Sequence, residues 1–325
     1  MDFSLTDAQQ EIARLAGQLL DDGRADPWKE LARAGLLALA LPADLGGEGL
    51  GVMDTAVLLT EIGRRAAPVP ALATLMTGVL PLARWGNREL RSALLPPAAA
   101  GELILTAGLR EPSDPLPRVP AAIVTGGTVS GVKVGVPYCA QAGRVLLPVS
   151  FAAPEGPEGG TGVVIIDPAA DGAHVTQTCS AAGSPEYTLR LDRAPVEHVL
   201  GAADCLEDLS RLAVAGACAL ADGALAGALE LTSSHVAQRR SSAGHWRRSR
   251  RSPVRSPMST SRRAPCIWPP CRRAGCSTRE GTRSPTSGWR AIGARSRRHG
   301  RLAPAITCTA GREWTPAIPC IASRP

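Results

Sequence analysis

The chain has 325 residues and a formal net charge of +7, an average over two unlike parts. Positions 1–238 hold 16 Lys and Arg against 27 Asp and Glu, a net charge of −11. Positions 239–325 hold 20 Arg, no Lys and two Glu, a net charge of +18, with a single Leu. A segment with this much charge and so few aliphatic residues cannot bury enough apolar area to offset the conformational entropy lost on folding. We therefore predict that 240–325 is a disordered tail.

The composition before the tail argues against a secreted or membrane protein. Asp2 and Asp7 interrupt any basic leader, and no apolar run follows them. The four cysteines before position 239 are scattered, as expected in a reducing compartment. The most apolar window, Leu212–Leu229, is mostly Ala and Gly with Asp222 inside, which favours a buried helix over a membrane span. We expect a cytoplasmic protein with no membrane partner.

The first hundred residues carry helix signals in close succession. Thr6 and Gln9 form a capping box before an apolar repeat. Asp26 and Pro27 offer an N-cap and a first-turn proline for a second helix. A third helix is predicted to begin at Asp54, and two further helical stretches are predicted over Pro70–Trp85 and Arg88–Leu95. The pattern predicts an N-terminal helical domain over 1–101.

After Gly101 the pattern changes to short runs typical of strands. The predicted strands lie in Leu103–Leu109, Ala122–Val136, Arg144–Val149, Gly162–Asp167 and Tyr187–Leu191. In Val163–Ile166 the residues that would face either side of the sheet are all apolar, as in a strand buried on both faces. We predict a middle β-barrel domain over 102–202, followed over 203–239 by one long helix with many small residues. The predicted fold class is α+β.

Three motifs in the helical part resemble the acyl-CoA dehydrogenase family. They are Trp28-Lys-Glu-Leu-Ala-Arg-Ala-Gly-Leu36, Leu41-Pro-Ala-Asp-Leu-Gly-Gly-Glu-Gly-Leu-Gly51 and Glu61-Ile-Gly-Arg-Arg-Ala-Ala-Pro68. The family has a similar W-x-x-L-x-x-x-G-L followed by P-x-x-x-G-G-x-G. The resemblance implies an N-terminal helical domain, a middle β-barrel and a C-terminal helical domain, of which 203–239 is the first helix. We expect the loop glycines to serve the turn and not a ligand.

The resemblance also implies an FAD site at the barrel, on two segments. Gly108-Leu-Arg-Glu-Pro-Ser-Asp114 is similar to A-L-T-E-P-G-A-G-S-D, whose main chain and hydroxyls contact flavin and acyl-CoA, and Gly131–Gly143 is similar to G-x-K-x-W-I-T-N-G-x-x-A-D. The candidate cofactor-binding residues here are Leu109, Glu111, Pro112, Val136 and Pro137.

The barrel motifs depart from the family at three positions. Arg110 replaces a Thr, Gly135 stands where an aromatic covers the flavin, and Pro137 stands where a Thr or Ser donates a hydrogen bond. Proline has no N–H and no polar side-chain atom. For Glu111, Pro112 and Pro137, a role in turn and strand-end packing is an equally open interpretation.

The last candidate is Arg239. It matches the Arg of the family's R-x-Q-F-G, which reaches the flavin pyrophosphate of a neighbouring subunit, a task suited to bidentate guanidinium contacts. The family's catalytic base is a Glu of the C-terminal helical domain, and the resemblance assigns it to no residue of this chain. No metal site is predicted.

The Arg-rich tail has three competing interpretations. A nucleic-acid arm is suggested by runs such as Arg247–Arg251, and a metal knuckle by Cys266, Cys271 and Cys276, whose spacings do not match metal-ligand motifs. We favour a reading frame that changes near codon 240. A frame shifted by one nucleotide can encode Q-F-G-R-P directly after Arg240, and H-L-H-G-G-T-G-V within Pro304–Ser323, both similar to family motifs.

The resulting hypothesis is an acyl-CoA dehydrogenase-like flavoprotein subunit that uses FAD in fatty acid or steroid degradation. Such enzymes remove the α-proton of an acyl-CoA thioester while hydride moves from the β-carbon to FAD. We expect an impaired activity here, and a homo- or hetero-oligomer with another subunit of the family. Two alternatives stay open. One is a non-catalytic partner in a heteromeric acyl-CoA dehydrogenase, and the other is nucleic-acid binding through the tail.

Overall fold

The computed structural model describes residues 4–21, 26–152, 160–180, 183–241 and 244–245. Its N-terminal part is helical. The helices are α1 (Asp7–Asp21), α2 (Pro27–Arg33), a 3-10 turn (Ala43–Leu45), α3 (Val52–Arg64), a π-helix (Leu72–Val79) that continues into α4 (Leu80–Trp85), and α5 (Arg88–Ala99). Their apolar faces share one core.

Local capping signals place the helix starts. The Thr6 hydroxyl accepts the Gln9 N–H at 3.3 Å and the Gln9 side chain accepts the Thr6 N–H at 3.2 Å, which confirms the capping box. Asp26 accepts the Lys29 N–H at 3.2 Å, so the predicted start of α2 is also confirmed. The predicted start of α3 was wrong by two residues. Asp54 lies inside the first turn, where its carboxylate accepts the Gly51 N–H at 3.0 Å.

The middle part of the chain forms a single eight-stranded sheet. The strands are β1 (Leu105–Ala107), β2 (Ile123–Thr125), β3 (Thr128–Pro137), β4 (Arg144–Phe151), β5 (Thr161–Ile166), β6 (Ala173–Thr178), β7 (Glu186–Pro195) and β8 (His198–Gly201). Their order is β6-β7-β3-β2-β4-β5-β8, with β1 pairing in parallel with β4. The β2–β3 hairpin turns at Gly126 and Gly127, both with positive φ.

The two faces of this sheet belong to different cores. On β4 and β5, one set of alternating residues faces the sheet's own core: Val145, Leu147, Val149, Val164 and Ile166. The other set, Leu146, Val163 and Ile165, packs into the core of the helical part. A strand with period-two side chains needs apolar residues at every position when both faces are covered. The prediction for Val163–Ile166 is confirmed.

One long helix, α6 (Ala203–Gln238), follows the sheet and packs on α3 at very short range. The carbonyl oxygens of Thr60 and Arg64 lie 1.9 Å from where a Cβ would stand at Gly223 and Gly227. The Thr60 hydroxyl also donates to the Ala219 carbonyl at 3.3 Å. The two backbones can approach this closely only because α6 presents no side chain at those two positions.

Helix α6 is also the one helix in the described ranges that is long and apolar enough to cross a membrane. Its most apolar 18-residue window has a mean hydropathy of 1.8, and 44% of that window is buried inside the protein. Leu209 and Leu212 lie in the core that α6 shares with the N-terminal helices. This packing agrees with the prediction of a buried helix.

Beyond Arg239 the structure describes two dipeptides, β9 (Arg240–Ser241) and β10 (Gly244–His245), which pair antiparallel. Positions 242–243 and 246–325 of the predicted disordered tail lie outside the described residues. The tail cysteines Cys266, Cys271 and Cys276 lie there too.

Candidate functional site at the sheet edge

The two barrel segments singled out in the sequence meet in the structure. The loop 108–114 follows β1, and the Gly108 N–H donates to the Leu146 carbonyl on β4 at 2.9 Å. The Val134 N–H donates to the Arg110 carbonyl at 2.9 Å, which ties the loop to β3. The Thr106 hydroxyl donates to the Pro137 carbonyl at 2.7 Å. The sheet therefore brings 108–114 and 131–138 together beside the C-terminal end of β3, a place that we call the sheet edge.

Within this edge the five predicted cofactor residues have different surroundings. Leu109 is half-buried against the helical core, and Val136 is buried in the core of the sheet. Pro112 is exposed and Pro137 is half-buried. Glu111 is buried, in contrast to the residues on either side of it.

Glu111 is the centre of a buried polar cluster. Its Oε1 lies 2.7 Å from Nζ of Lys133, and the exposed fractions of the two side chains are 3% and 0%. The same carboxylate accepts the N–H groups of Ala121 at 2.8 Å and Ala122 at 3.2 Å. Burial alone would raise the pKa of Glu111, but the ammonium and the two N–H donors outweigh it, so its pKa lies below the usual value. The ionised Glu111 side chain thus joins both ends of the loop 111–122 to β3.

Lys133 is a residue whose role the sequence analysis did not identify. Burial lowers the pKa of Lys133, while the Glu111 carboxylate opposes that shift. The signal was present, because Lys133 is one of only two lysines in the chain and lies between Val132 and Val134 in a predicted strand. A buried ammonium needs a carboxylate partner, and the loop that crosses β3 at that point carries two acidic residues, Glu111 and Asp114, of which only Glu111 is buried.

Gly135 marks the position where the family's aromatic would stand. Its φ of +61° is in the left-handed region, where any side chain would be strained. A Cβ placed there would lie 3.1 Å from Nη1 of Arg110 and 3.5 Å from Oε2 of Glu186. The Glu186 carboxylate also accepts the Ser180 hydroxyl at 3.0 Å. Charged side chains from the loop and from β7 therefore occupy the volume next to Gly135.

Tyr138, three residues later, also has a positive φ, +53°. Its N–H donates to the Pro185 carbonyl at 3.0 Å, and its own carbonyl accepts the N–H groups of Gln141 and Ala142. The neighbouring Cys139 is buried, and burial raises the pKa of its thiol to about 12. Since the thiolate is the nucleophilic form, Cys139 is a packing residue here.

The residues at this edge do not fit a flavin ring. Pro112 and Pro137 have no N–H, and the Glu111 N–H already donates to the Asp114 carbonyl at 2.8 Å. The Pro137 carbonyl is likewise used by Thr106. Gly135 supplies no aromatic surface, and Arg110 lies against it.

The sixth predicted residue, Arg239, lies on a different element. It forms the C-terminal cap of α6, where its N–H donates to the His235 carbonyl at 2.9 Å, and it is exposed. Helix α6 begins next to β8 and has 36 residues. With a rise of 1.5 Å per residue, Arg239 lies roughly 50 Å along the helix axis from that end.

Comparison with known proteins places this architecture in one family. The family model described as "Acyl-CoA dehydrogenase, N-terminal domain" matches residues 6–102. The chain is 39% identical over 241 residues to Acyl-CoA dehydrogenase FadE28 of Mycobacterium tuberculosis, covering 74% of this chain and 67% of the relative.

Solved structures agree in fold. The Tcur3481-Tcur3483 steroid ACAD variant superposes with a TM-score of 0.73 at 29% identity, covering 81% of this chain and 77% of that one. The ChsE4-ChsE5 complex from Mycobacterium tuberculosis superposes with a TM-score of 0.74 at 24% identity, covering 84% and 79%. The helical domain, the sheet and the long helix are all part of this fold, and the chain belongs to the acyl-CoA dehydrogenase family of FAD-dependent oxidoreductases.

Proposed function

We propose that this chain is a subunit of a heteromeric acyl-CoA dehydrogenase, in which an unlike partner subunit holds the flavin. The reaction of the assembly is the α,β-dehydrogenation of an acyl-CoA thioester. The observation that carries the proposal is the sheet edge, where Arg110, Gly135 and Pro137 replace the family's Thr, aromatic and hydroxyl donor. A subunit that cannot hold a flavin ring can still contribute to a neighbour's site.

The relatives support an unlike partner and suggest a substrate class. The Tcur3481-Tcur3483 steroid ACAD, 29% identical to this chain, is named as a pair of different chains. We propose that the substrate is an acyl-CoA of the steroid type. The proposed compartment is the cytoplasm.

Arg239 is the residue proposed to serve the partner. It ends a long helix far from the sheet end of α6, and its side chain is exposed at the cap. A guanidinium in such a position can reach the pyrophosphate of a flavin on a neighbouring subunit through bidentate contacts. Leu109, Glu111, Pro112, Val136 and Pro137 then position the edge of this subunit, and the catalytic base is proposed to come from the partner.

The proposed domain organisation is an N-terminal helical domain over 1–101, a middle domain over 102–202, the first helix of a C-terminal domain over 203–239, and an aberrant tail over 240–325. We propose that the tail arises from a change of reading frame near codon 240. Support comes from the match to FadE28, whose 241 aligned residues cover 74% of this chain. Resequencing codons 236 to 245 tests this proposal, because an extra base would restore R-x-Q-F-G-R-P.

The function is tested by the flavin content of the purified full chain, alone and after co-expression with each chain of the Tcur3481-Tcur3483 enzyme. We expect the single chain to carry no flavin absorbance and no dehydrogenase activity with a steroid acyl-CoA. With a flavin-bearing partner we expect one complex with one FAD per pair of unlike chains. Stoichiometric FAD on the single chain would contradict the proposal.

A further inference from the structure

Three charged or small residues meet at one point of the sheet edge. Arg110 lies in the loop after β1, Gly135 in β3 and Glu186 at the start of β7. Nη1 of Arg110 lies 3.1 Å and Oε2 of Glu186 3.5 Å from the position of a Cβ at Gly135, and the Arg110 Cζ lies 3.6 Å from it. The guanidinium therefore rests directly against the bare backbone of β3.

The backbone at this point has adapted to that arrangement. With φ at +61°, residue 135 is in a conformation that favours glycine. An aromatic side chain is absent here, and the backbone conformation would be strained if one were introduced. The Val134 N–H to Arg110 carbonyl bond, 2.9 Å long, anchors the main chain of Arg110 one residue before Gly135. The sheet thus holds the main chain of Arg110 in place, while its side chain is exposed.

We propose that Arg110 and Gly135 act together to exclude a flavin ring from this subunit, with Arg110 filling the volume that a planar ring would need beside β3. This inference rests on the proposed function, since it names what keeps the flavin on the partner. It predicts that side chains at the sheet edge alone prevent flavin binding, and that substituting them restores it. The rest of the sheet, including the Glu111–Lys133 pair, keeps its structure when the edge is changed.

The proposal has a direct test in the full chain, titrated with FAD and followed by quenching of flavin fluorescence. The double substitution Arg110→Thr with Pro137→Thr removes the guanidinium and supplies a hydroxyl donor. Arg118→Thr is the matched control, because Arg118 is an exposed arginine of the same loop. We expect no saturable binding by the wild type or the control. The double variant should bind FAD saturably, roughly tenfold or more above the detection limit that the wild type sets, about what one recovered hydrogen bond contributes.

The outcomes distinguish a failure of this inference from a failure of the proposed function. If the double variant keeps the circular dichroism spectrum of the wild type but binds no better, removing the Arg110 guanidinium does not open the site; this inference then fails, and the proposed function still stands. If the wild type itself binds FAD stoichiometrically, the proposed function fails and this inference fails with it.

A second measurement covers a double variant that does not fold. Gly135→Ala is made in the wild type and in the Arg110→Thr background, and Tm is recorded for each pair. Both alanine variants should lose stability from the strained backbone. The loss should be smaller without the guanidinium, because the close contact at Nη1 is gone. Equal losses in the two backgrounds would show that Arg110 does not restrict this space and would overturn the proposal.

Discussion

Nζ of Lys133 and Oε1 of Glu111 are 2.7 Å apart in a place that water does not reach, since the two side chains are 0% and 3% exposed. The residues are 22 positions apart in the chain. Because the carboxylate also accepts two N–H groups, from Ala121 and Ala122, the pair joins β3 to both ends of the loop 111–122. This loop carries part of the candidate site, so the pair sets the shape of the sheet edge.

Removing one member of the pair should be costly. Lys133→Met leaves the Glu111 carboxylate buried without its cation, and we expect the free energy of unfolding to fall by about 3 to 5 kcal/mol. The measurement is urea denaturation of the full chain. Lys29→Met is the matched control, because the Lys29 side chain is 65% exposed, and its change should stay within about 0.5 kcal/mol. Equal effects of the two substitutions would show that the buried pair contributes nothing specific.

Acid should weaken the wild type through Glu111. Its pKa is held below the ordinary value of 4.5, so below pH 4.5 the unfolded state binds more protons at this group than the folded state. The stability from this group is therefore complete above pH 4.5 and is lost as the pH falls through the lowered pKa. Glu111→Gln should be less stable at neutral pH, with a shallower decline below 4.5. Parallel curves of unfolding free energy against pH would contradict this assignment.

The α3–α6 contact should tolerate no side chain on α6 at Gly223. In an isolated helix Gly→Ala stabilises by about 1 kcal/mol. Here a Cβ would stand 1.9 Å from the Thr60 carbonyl oxygen, so Gly223→Ala should instead destabilise by about 1 to 3 kcal/mol or more. Thermal unfolding gives the sign. Ala228→Val, on the exposed side of the same helix, serves as the control and should change Tm little. A higher Tm for Gly223→Ala would rule out the close approach.

Thiol reactivity should differ sharply between cysteines. Burial raises the pKa of Cys139 and of Cys205 to about 12, and both are buried, whereas Cys179 is exposed. Alkylation of the native protein with iodoacetamide at mildly alkaline pH, followed by peptide mapping, should label Cys179 before Cys139 and Cys205. Cys139 and Cys205 should react only after denaturation. Early labelling of Cys139 would mean that the sheet opens at this edge.

The sequence by itself determined the features that depend on neighbours in the chain. The Thr6 capping box and the Asp26 and Pro27 helix start follow from interactions within a few residues. The apolar run Val163–Ile166 predicted burial on both faces because its composition alone excludes a solvent-facing side. Family motifs, also local strings, determined the family. Where a predicted helix boundary was wrong, two local signals in the sequence opposed each other. Asp54 caps from inside the first turn, and α5 continues through Pro96 and Pro97 to Ala99, four residues beyond the predicted end at Leu95.

Only the tertiary structure decided which distant residues meet. Glu111 was a candidate cofactor ligand in the sequence, and the fold directs its carboxylate to Lys133, because β3 passes beneath the loop at that point. The fold likewise places Arg110 against Gly135 and the glycines of α6 against the carbonyls of α3. Such contacts depend on how strands and helices pack across the chain, and no periodicity within one segment encodes them.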